Sequence, residues 1–132
     1  MERSLEIASV PDNLRIVEKL IDDISAKHEF ESDMYGKVLV ACVEAVNNSI
    51  IHGNKSNPDK KVKVVVKSSK DKLYITVEDE GPGFNFENIP DPTAPENIEN
   101  INGRGVFLMS HLSDEVKFHN DGSKVELVFN LY

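Results

Sequence analysis

Leu73-Tyr74-Ile75-Thr76-Val77-Glu78-Asp79 alternates apolar with polar side chains, and Glu80-Gly81-Pro82-Gly83 breaks the alternation at once. A period of two marks a strand with one buried face. Leu73, Ile75 and Val77 share that face, and Asp79 continues their parity past the apolar run. A carboxylate ending an inward row needs a partner, because unpaired buried charge is costly. An adenine amino group would supply one, whereas guanine would present an acceptor there. Gly81 and Gly83 let the backbone turn and approach a ligand closely. The same string also reads as an ordinary acidic turn after a strand.

The pattern on either side sets the fold. Val62, Val64 and Val66 alternate with Lys63 and Lys67, and a short polar link joins them to the next strand as a hairpin. Upstream, residues 2–10 read as a strand through Leu5 and Ile7. Pro11 and Asp12 open a helix carrying Leu14, Val17, Leu20, Ile21 and Ile24. Ser32 or Asp33 caps a second helix with the stripe Val38, Leu39, Cys42, Ala45, Val46, Ser49 and Ile50, ended by Gly53. Downstream, residues 80–102 have no periodicity and contain four of the six prolines. A loop of that length is usually functional or disordered. A short helix over 105–112 and strands over 114–119 and 124–131 complete the chain. Val125, Leu127, Phe129 and Leu131 fall on one face. This order predicts an α+β, two-layer sandwich: a mixed, mainly antiparallel sheet with about three helices on one face.

The 132 residues are expected to form one domain. A single cysteine, Cys42, precludes an intrachain disulfide and fits a reducing compartment. The beginning of the chain lacks a basic end followed by an apolar run, and no apolar stretch approaches the ~20 residues of a spanning helix. A cytoplasmic protein with no membrane association is therefore expected. The net charge of −8 argues against direct nucleic-acid binding, which needs a basic face. The charge is uneven: seven lysines lie between Lys55 and Lys72, and seven acids between Glu78 and Glu99. Both runs read most simply as solvated surface.

Two further groupings can carry chemistry. In Glu44-Ala45-Val46-Asn47-Asn48, the Glu and the second Asn are four apart and share a helix face. A carboxylate there can serve as a general base, and an amide oxygen is a hard ligand suited to Mg²⁺. An exposed pair on a surface helix has the same spacing. His52, which follows, reads as a helix-end residue. Gly103-Arg104-Gly105 opens the third helix, where glycines expose backbone N–H groups to phosphate oxygens. Arg104 is the sole basic side chain from 73 to 116 and could meet a terminal phosphate. Neither a Walker A loop, a zinc-ligand spacing nor a Gly-x-Ser-x-Gly elbow is present.

In this order, EAVNN, DEGPG and GRG resemble the N, G1 and G2 boxes of the GHKL (Bergerat-fold) ATPase superfamily. Gly122-Ser123-Lys124-Val125 resembles that superfamily's Gly-Thr-x-Val, with Ser in place of Thr. EAVNNSIIHGN and GRGVFLMSHLSDEV are most similar to RsbW-type anti-sigma-factor serine/threonine kinases. The resemblance implies ATP and Mg as cofactors, with Glu44 as general base, Asn48 as Mg²⁺ ligand and Asp79 as adenine reader. Gly81, Gly83, Gly103, Arg104, Gly105 and Ser123 would complete the nucleotide site, under a lid over 84–102. It implies transfer of the γ-phosphate to a Ser or Thr of a STAS-type antagonist. It also implies sequestration of a sigma factor, and a homodimer, as members often dimerise. Family members often carry Arg and Ser before the second glycine motif, where this chain has Asn100-Ile101-Asn102. A non-catalytic module whose ATP-ordered lid gates partner binding is the alternative. A histidine-kinase catalytic domain fits less well, because 15 residues between His28 and Glu44 leave no room for a dimerising hairpin.

Overall fold

The alternating run does form a strand, and it lies at the centre of the sheet. The protein's structure, a computed structural model, describes residues 1–81, 101–119 and 122–131, with only the helical backbone from 101 to 106. The strands are β1 (Glu2–Ala8), β2 (Lys61–Ser68), β3 (Lys72–Glu78), β4 (Glu115–His119) and β5 (Lys124–Asn130). Their spatial order is β1-β2-β3-β5-β4, and every pairing is antiparallel. The mixed sheet expected from the sequence is thus purely antiparallel among the described residues.

Register follows the apolar pattern. One row across the sheet runs Leu5, Val64, Val77, Val125, Phe118, and the next runs Val66, Ile75, Leu127, Val116. Slipping any strand by one residue would turn its apolar set to water. Each fully buried Val, Leu or Ile contributes about 1.5–3 kcal/mol, so the register is strongly specified. The opposite face carries the alternating row Glu6, Lys63, Glu78, Lys124. Lys63 and Lys67 of the lysine run are exposed there, and Lys67 pairs with Glu2 at 3.9 Å.

Helices α1 (Leu14–His28), α2 (Ser32–Asn48) and α3 (Ile101–Leu112) pack on the apolar face. Val17, Leu20, Ile21 and Ile24 of α1 and Val38, Ala41, Cys42, Ala45 and Val46 of α2 close the core. Three local expectations are corrected. Pro11–Asn13 is a 3₁₀ turn that precedes α1, because the side-chain amide of Asn13 ties back to the Ala8 carbonyl at 3.0 Å. Ser32 and Asp33 lie inside α2 and make no side-chain cap bond; Glu31 holds the extended cap position. The third helix begins at 101 and not 105, so contacts with α2 override the low helix propensity of Gly103 and Gly105.

Candidate functional site

The last turn of α2 does not end at Asn48 but continues as a π-turn, Ser49–Gly53. The Asn54 N–H reaches the Ser49 carbonyl at 2.8 Å, five residues back. Ala45, Asn48, Ser49, His52 and Gly53 fall on one face of this combined helix, at spacings of three and four. All five line one cleft. Val77 and Val125 of the sheet, Met109 of α3 and Phe118 of β4 supply its apolar walls. Asp79, Gly122 and Ser123 supply its polar edge, where the ends of β3 and β5 meet. The Asp79 N–H donates to the Ser123 carbonyl at 2.9 Å, which fastens the two strand ends together.

Asp79 is held from several sides. Its Oδ1 accepts from the Gly81 N–H at 2.8 Å, and Ser49 lines the cleft beside it. Burial pushes the carboxyl above its ordinary range, while the Gly81 and Ser49 donors pull it back. Glu78 adds to the upward shift and Lys60 opposes it. The carboxylate rests against the backbone of the π-turn: a Cβ on Gly53 would stand 2.3 Å from Oδ2. Gly81 backs onto the same residue, since a Cβ there would stand 1.9 Å from the Gly53 carbonyl oxygen.

Asn54 anchors this end of the molecule and is completely buried. Its side-chain amide donates to Ser9 Oγ at 2.8 Å and to the Lys61 carbonyl at 3.0 Å, and its Oδ1 accepts from the Glu80 N–H at 2.8 Å. One side chain thus joins the ends of β1 and β2 to the turn that carries Asp79. Nothing in the local sequence marked Asn54 for this. Ser49 was read as part of an apolar stripe and Gly53 as a helix terminator. Their places beside Asp79, Ser49 in the cleft lining and Gly53 against the carboxylate, appear only once the strand end is set beside the π-turn. His52 is half-buried in the cleft wall, where burial, and then the charge of Lys55, lowers its pKa.

Of the residues singled out in the sequence, Asn48, Asp79 and Ser123 line the cleft together. Asn48 is 8% exposed, and its Nδ2 is buried without a hydrogen-bond partner among the described residues. A buried, unpartnered amide costs about 1–3 kcal/mol. A ligand with an acceptor at Asn48 and a donor at Asp79 would satisfy both side chains. Glu44 is half-buried one turn before Asn48 and does not line the cleft. Gly81 supports Asp79 from behind and is not part of the wall. Gly83 and most of the 84–102 segment lie outside the described residues. Gly103 and Arg104 fall among the first four residues of α3, whose N–H groups a helix leaves free, and Gly105 falls just beyond them. The Arg104 side chain lies outside the described atoms. No helix among the described residues is long and apolar enough to cross a membrane, and no group of three or more metal-ligating side chains occurs among them.

Comparison with known proteins agrees with this architecture. A family model described as a histidine kinase-like ATPase domain matches residues 7–129. A serine-protein kinase RsbW of Listeria monocytogenes is 26% identical over 124 residues, covering 89% of this chain and 79% of that protein. The Bacillus subtilis serine-protein kinase RsbW is 23% identical over 122 residues, covering 88% and 76%. An anti-sigma F factor of Anoxybacillus flavithermus is 28% identical over 137 residues, covering 98% and 92%. Among solved structures, the RsbU and RsbW domains of a Mycobacterium tuberculosis protein superpose with a TM-score of 0.68 at 12% identity. The match covers 98% of this chain and 32% of that one. At such identity the likeness is one of fold.

Proposed function

We propose a function from one premise: the chain belongs to the histidine kinase-like ATPase domain family. It acts in the cytoplasm as an ATP-binding protein serine/threonine kinase of the anti-sigma-factor type. The observation that carries this reading is the Asp79 carboxylate, held by Gly81 and packed against Gly53 at the edge of a cleft walled by Val77, Met109 and Val125. An adenine ring fits between such apolar walls, and its amino group donates to Asp79. Ser123, beside Asp79, bonds the same end of the base. The N–H groups at the start of α3, from Gly103 and Arg104, face phosphate oxygens. The Asn48 side-chain oxygen would be the ligand for Mg²⁺, and its Nδ2, unpartnered among the described residues, would be left to donate to the nucleotide. Mg²⁺ bound there would offset the charge of the triphosphate.

Glu44 accepts the proton of a serine or threonine hydroxyl as that oxygen bonds the γ-phosphorus and the bond to the β-phosphate oxygen breaks. The products are a phosphoprotein and ADP. The substrate class is a STAS-type antagonist, and the sequestered partner is a sigma factor. The names of the Listeria, Bacillus and Anoxybacillus relatives support this reading. The test is Glu44→Gln with Mg-ATP and the candidate antagonist. Retained ADP affinity with phosphoserine or phosphothreonine formation reduced by about 10²-fold or more is expected. Undiminished transfer overturns the role of Glu44, and no transfer by the unaltered protein overturns the kinase.

One observation favours a second reading. Glu44 lies outside the cleft lining, so the chain could bind ATP as a signal that gates partner binding without transfer. In that case Glu44→Gln leaves partner regulation intact, measured as nucleotide-dependent complex formation.

A further inference from the structure

We propose a second binding site at the far end of the sheet from the cleft: a cavity that takes a tyrosine side chain of a partner protein, with a basic residue beside that tyrosine. Strands β3 and β5 run from one site to the other. Val77 and Val125 line the cleft, whereas Ser69 and Leu131, just outside the opposite strand ends, line the cavity. The cavity holds about 510 Å³, where the turn between α1 and α2 faces the turn between β2 and β3. That volume is within the roughly 300–1,000 Å³ of small-molecule sites. Its sheet side is fixed, because the Ser69 N–H donates to the Lys72 carbonyl and the Leu131 N–H to the Asp71 carbonyl, both at 2.9 Å.

Phe30, Met34 and Leu131 pack against the core and give the cavity an apolar lining. His28 lines it with them, its ring stacked on Phe30 with centroids 6.0 Å apart. The His28 Nε2 is buried without a hydrogen-bond partner among the described residues. Such an atom is costly to leave unpaired, and a small rotation about the broad χ2 torsion brings it to a ligand. An apolar chamber with one polar atom suits a side chain with an apolar body and a polar tip, Tyr or Trp. The Trp N–H only donates. The Tyr hydroxyl donates and accepts, so it pairs with Nε2 in either tautomer. Exposed Glu29 and Glu31 come from one turn and exposed Lys70 from the other. Two acids against one base favour a cation beside the tyrosine. Glu29 holds a left-handed backbone, φ 54° and ψ 50°, which residues other than glycine adopt reluctantly. That turn carries the Phe30 N–H back to the Ser25 carbonyl at 3.1 Å and its ring onto His28.

The test uses three peptides: acetyl-Tyr-Arg-amide, acetyl-Phe-Arg-amide and acetyl-Tyr-Glu-amide. NMR of the methionine methyl groups reads both sites at once, because Met34 lines the cavity and Met109 the cleft. Expected is a saturable shift of Met34, and not of Met109, with acetyl-Tyr-Arg-amide. The Phe peptide binds about five- to tenfold more weakly, the worth of one hydrogen bond. The Tyr-Glu peptide is also weaker. His28→Phe keeps an aromatic ring against Phe30 and removes the nitrogen, so the Tyr and Phe peptides then bind alike. Glu31→Gln, at an exposed position, narrows the preference for Arg over Glu. A Met34 signal that no peptide moves, or equal binding of the Tyr and Phe peptides to the unaltered protein, overturns the site. Neither result bears on the nucleotide reading of the cleft, which ADP reports separately at Met109.

Discussion

Gly53 and Asp79 occupy complementary space: a Cβ on the glycine would stand 2.3 Å from Oδ2, 2.4 Å from Cγ and 2.7 Å from Oδ1 of the aspartate. Gly53 is required here by close approach. In Gly53→Ala the carboxylate must swing away, at a cost of about 1–3 kcal/mol, typical of overpacking. ADP affinity is expected to fall at least tenfold, because the swing removes the acceptor from the cleft. Gly81→Ala meets the backbone carbonyl of Gly53 at 1.9 Å, which cannot rotate aside. A larger loss follows, about 3 kcal/mol or more. Urea denaturation orders the two, and the reverse order would show that Asp79, and not the Gly53 backbone, is the rigid partner.

Burial raises the pKa of Asp79 above its ordinary value, with donors from Gly81 and Ser49 opposing the shift. Between the ordinary and raised values the folded protein binds more protons than the unfolded one. The protonated carboxyl therefore favours folding below the ordinary value, and this contribution is lost as pH rises through the raised value. A ligand amino group requires the ionised form, so ADP affinity moves the other way and weakens as pH falls through the same window. Glu78, Lys60 and half-buried His52 also face this region, and His52 titrates below its ordinary value. The ADP-induced rise in Tm is expected to grow with pH across the acidic range and to become flat in Asp79→Asn. A slope that survives in Asp79→Asn would assign the titration to another group.

Strand parity set Asp79 at the end of an inward row, and helix spacing set Glu44 and Asn48 on one face, of which Asn48 lines the cleft and Glu44 does not. Both inferences use a period within one element, which local sequence carries. Gly53 and Asn54 act across elements. Asn54 bonds Ser9, 45 residues away, and Glu80, 26 residues away. No local pattern encodes such pairings. The π-turn was equally hidden, because its signature is a shift of backbone hydrogen bonding from four residues back to five at the end of an ordinary amphipathic helix. The early start of α3 is a third case, in which packing on α2 outweighs two glycines.

Cys42 lies on the core side of α2, fully buried, and burial pushes its thiol up to about 12. The thiolate is the reactive form, so at neutral pH this thiol is inert as well as shielded. Iodoacetamide is expected to leave the folded protein unmodified over hours and to alkylate it rapidly in denaturing urea. Mass spectrometry reads the adduct. Rapid native labelling would mean that the α2–sheet packing opens far more often than a buried core permits.

Asn54→Ala removes three hydrogen bonds at one stroke and leaves the Glu80 N–H and the Lys61 carbonyl without their partner. Ser9 loses one bond but keeps its own donation to the Lys60 carbonyl at 2.8 Å. Both stranded groups are only partly buried, so each costs toward the lower end of about 1–3 kcal/mol, and a loss of about 2 kcal/mol is expected. Asn54→Asp retains the acceptor for Glu80 but replaces the donor to Lys61 with a second acceptor, setting oxygen against oxygen. It is therefore expected to be no more stable than the alanine variant at neutral pH and to regain stability on acidification as the carboxyl gains a proton. Urea midpoints with an unchanged m-value measure both effects. An Asn54→Ala midpoint equal to that of the unaltered protein would show that Asn54 does not hold the turn carrying Asp79.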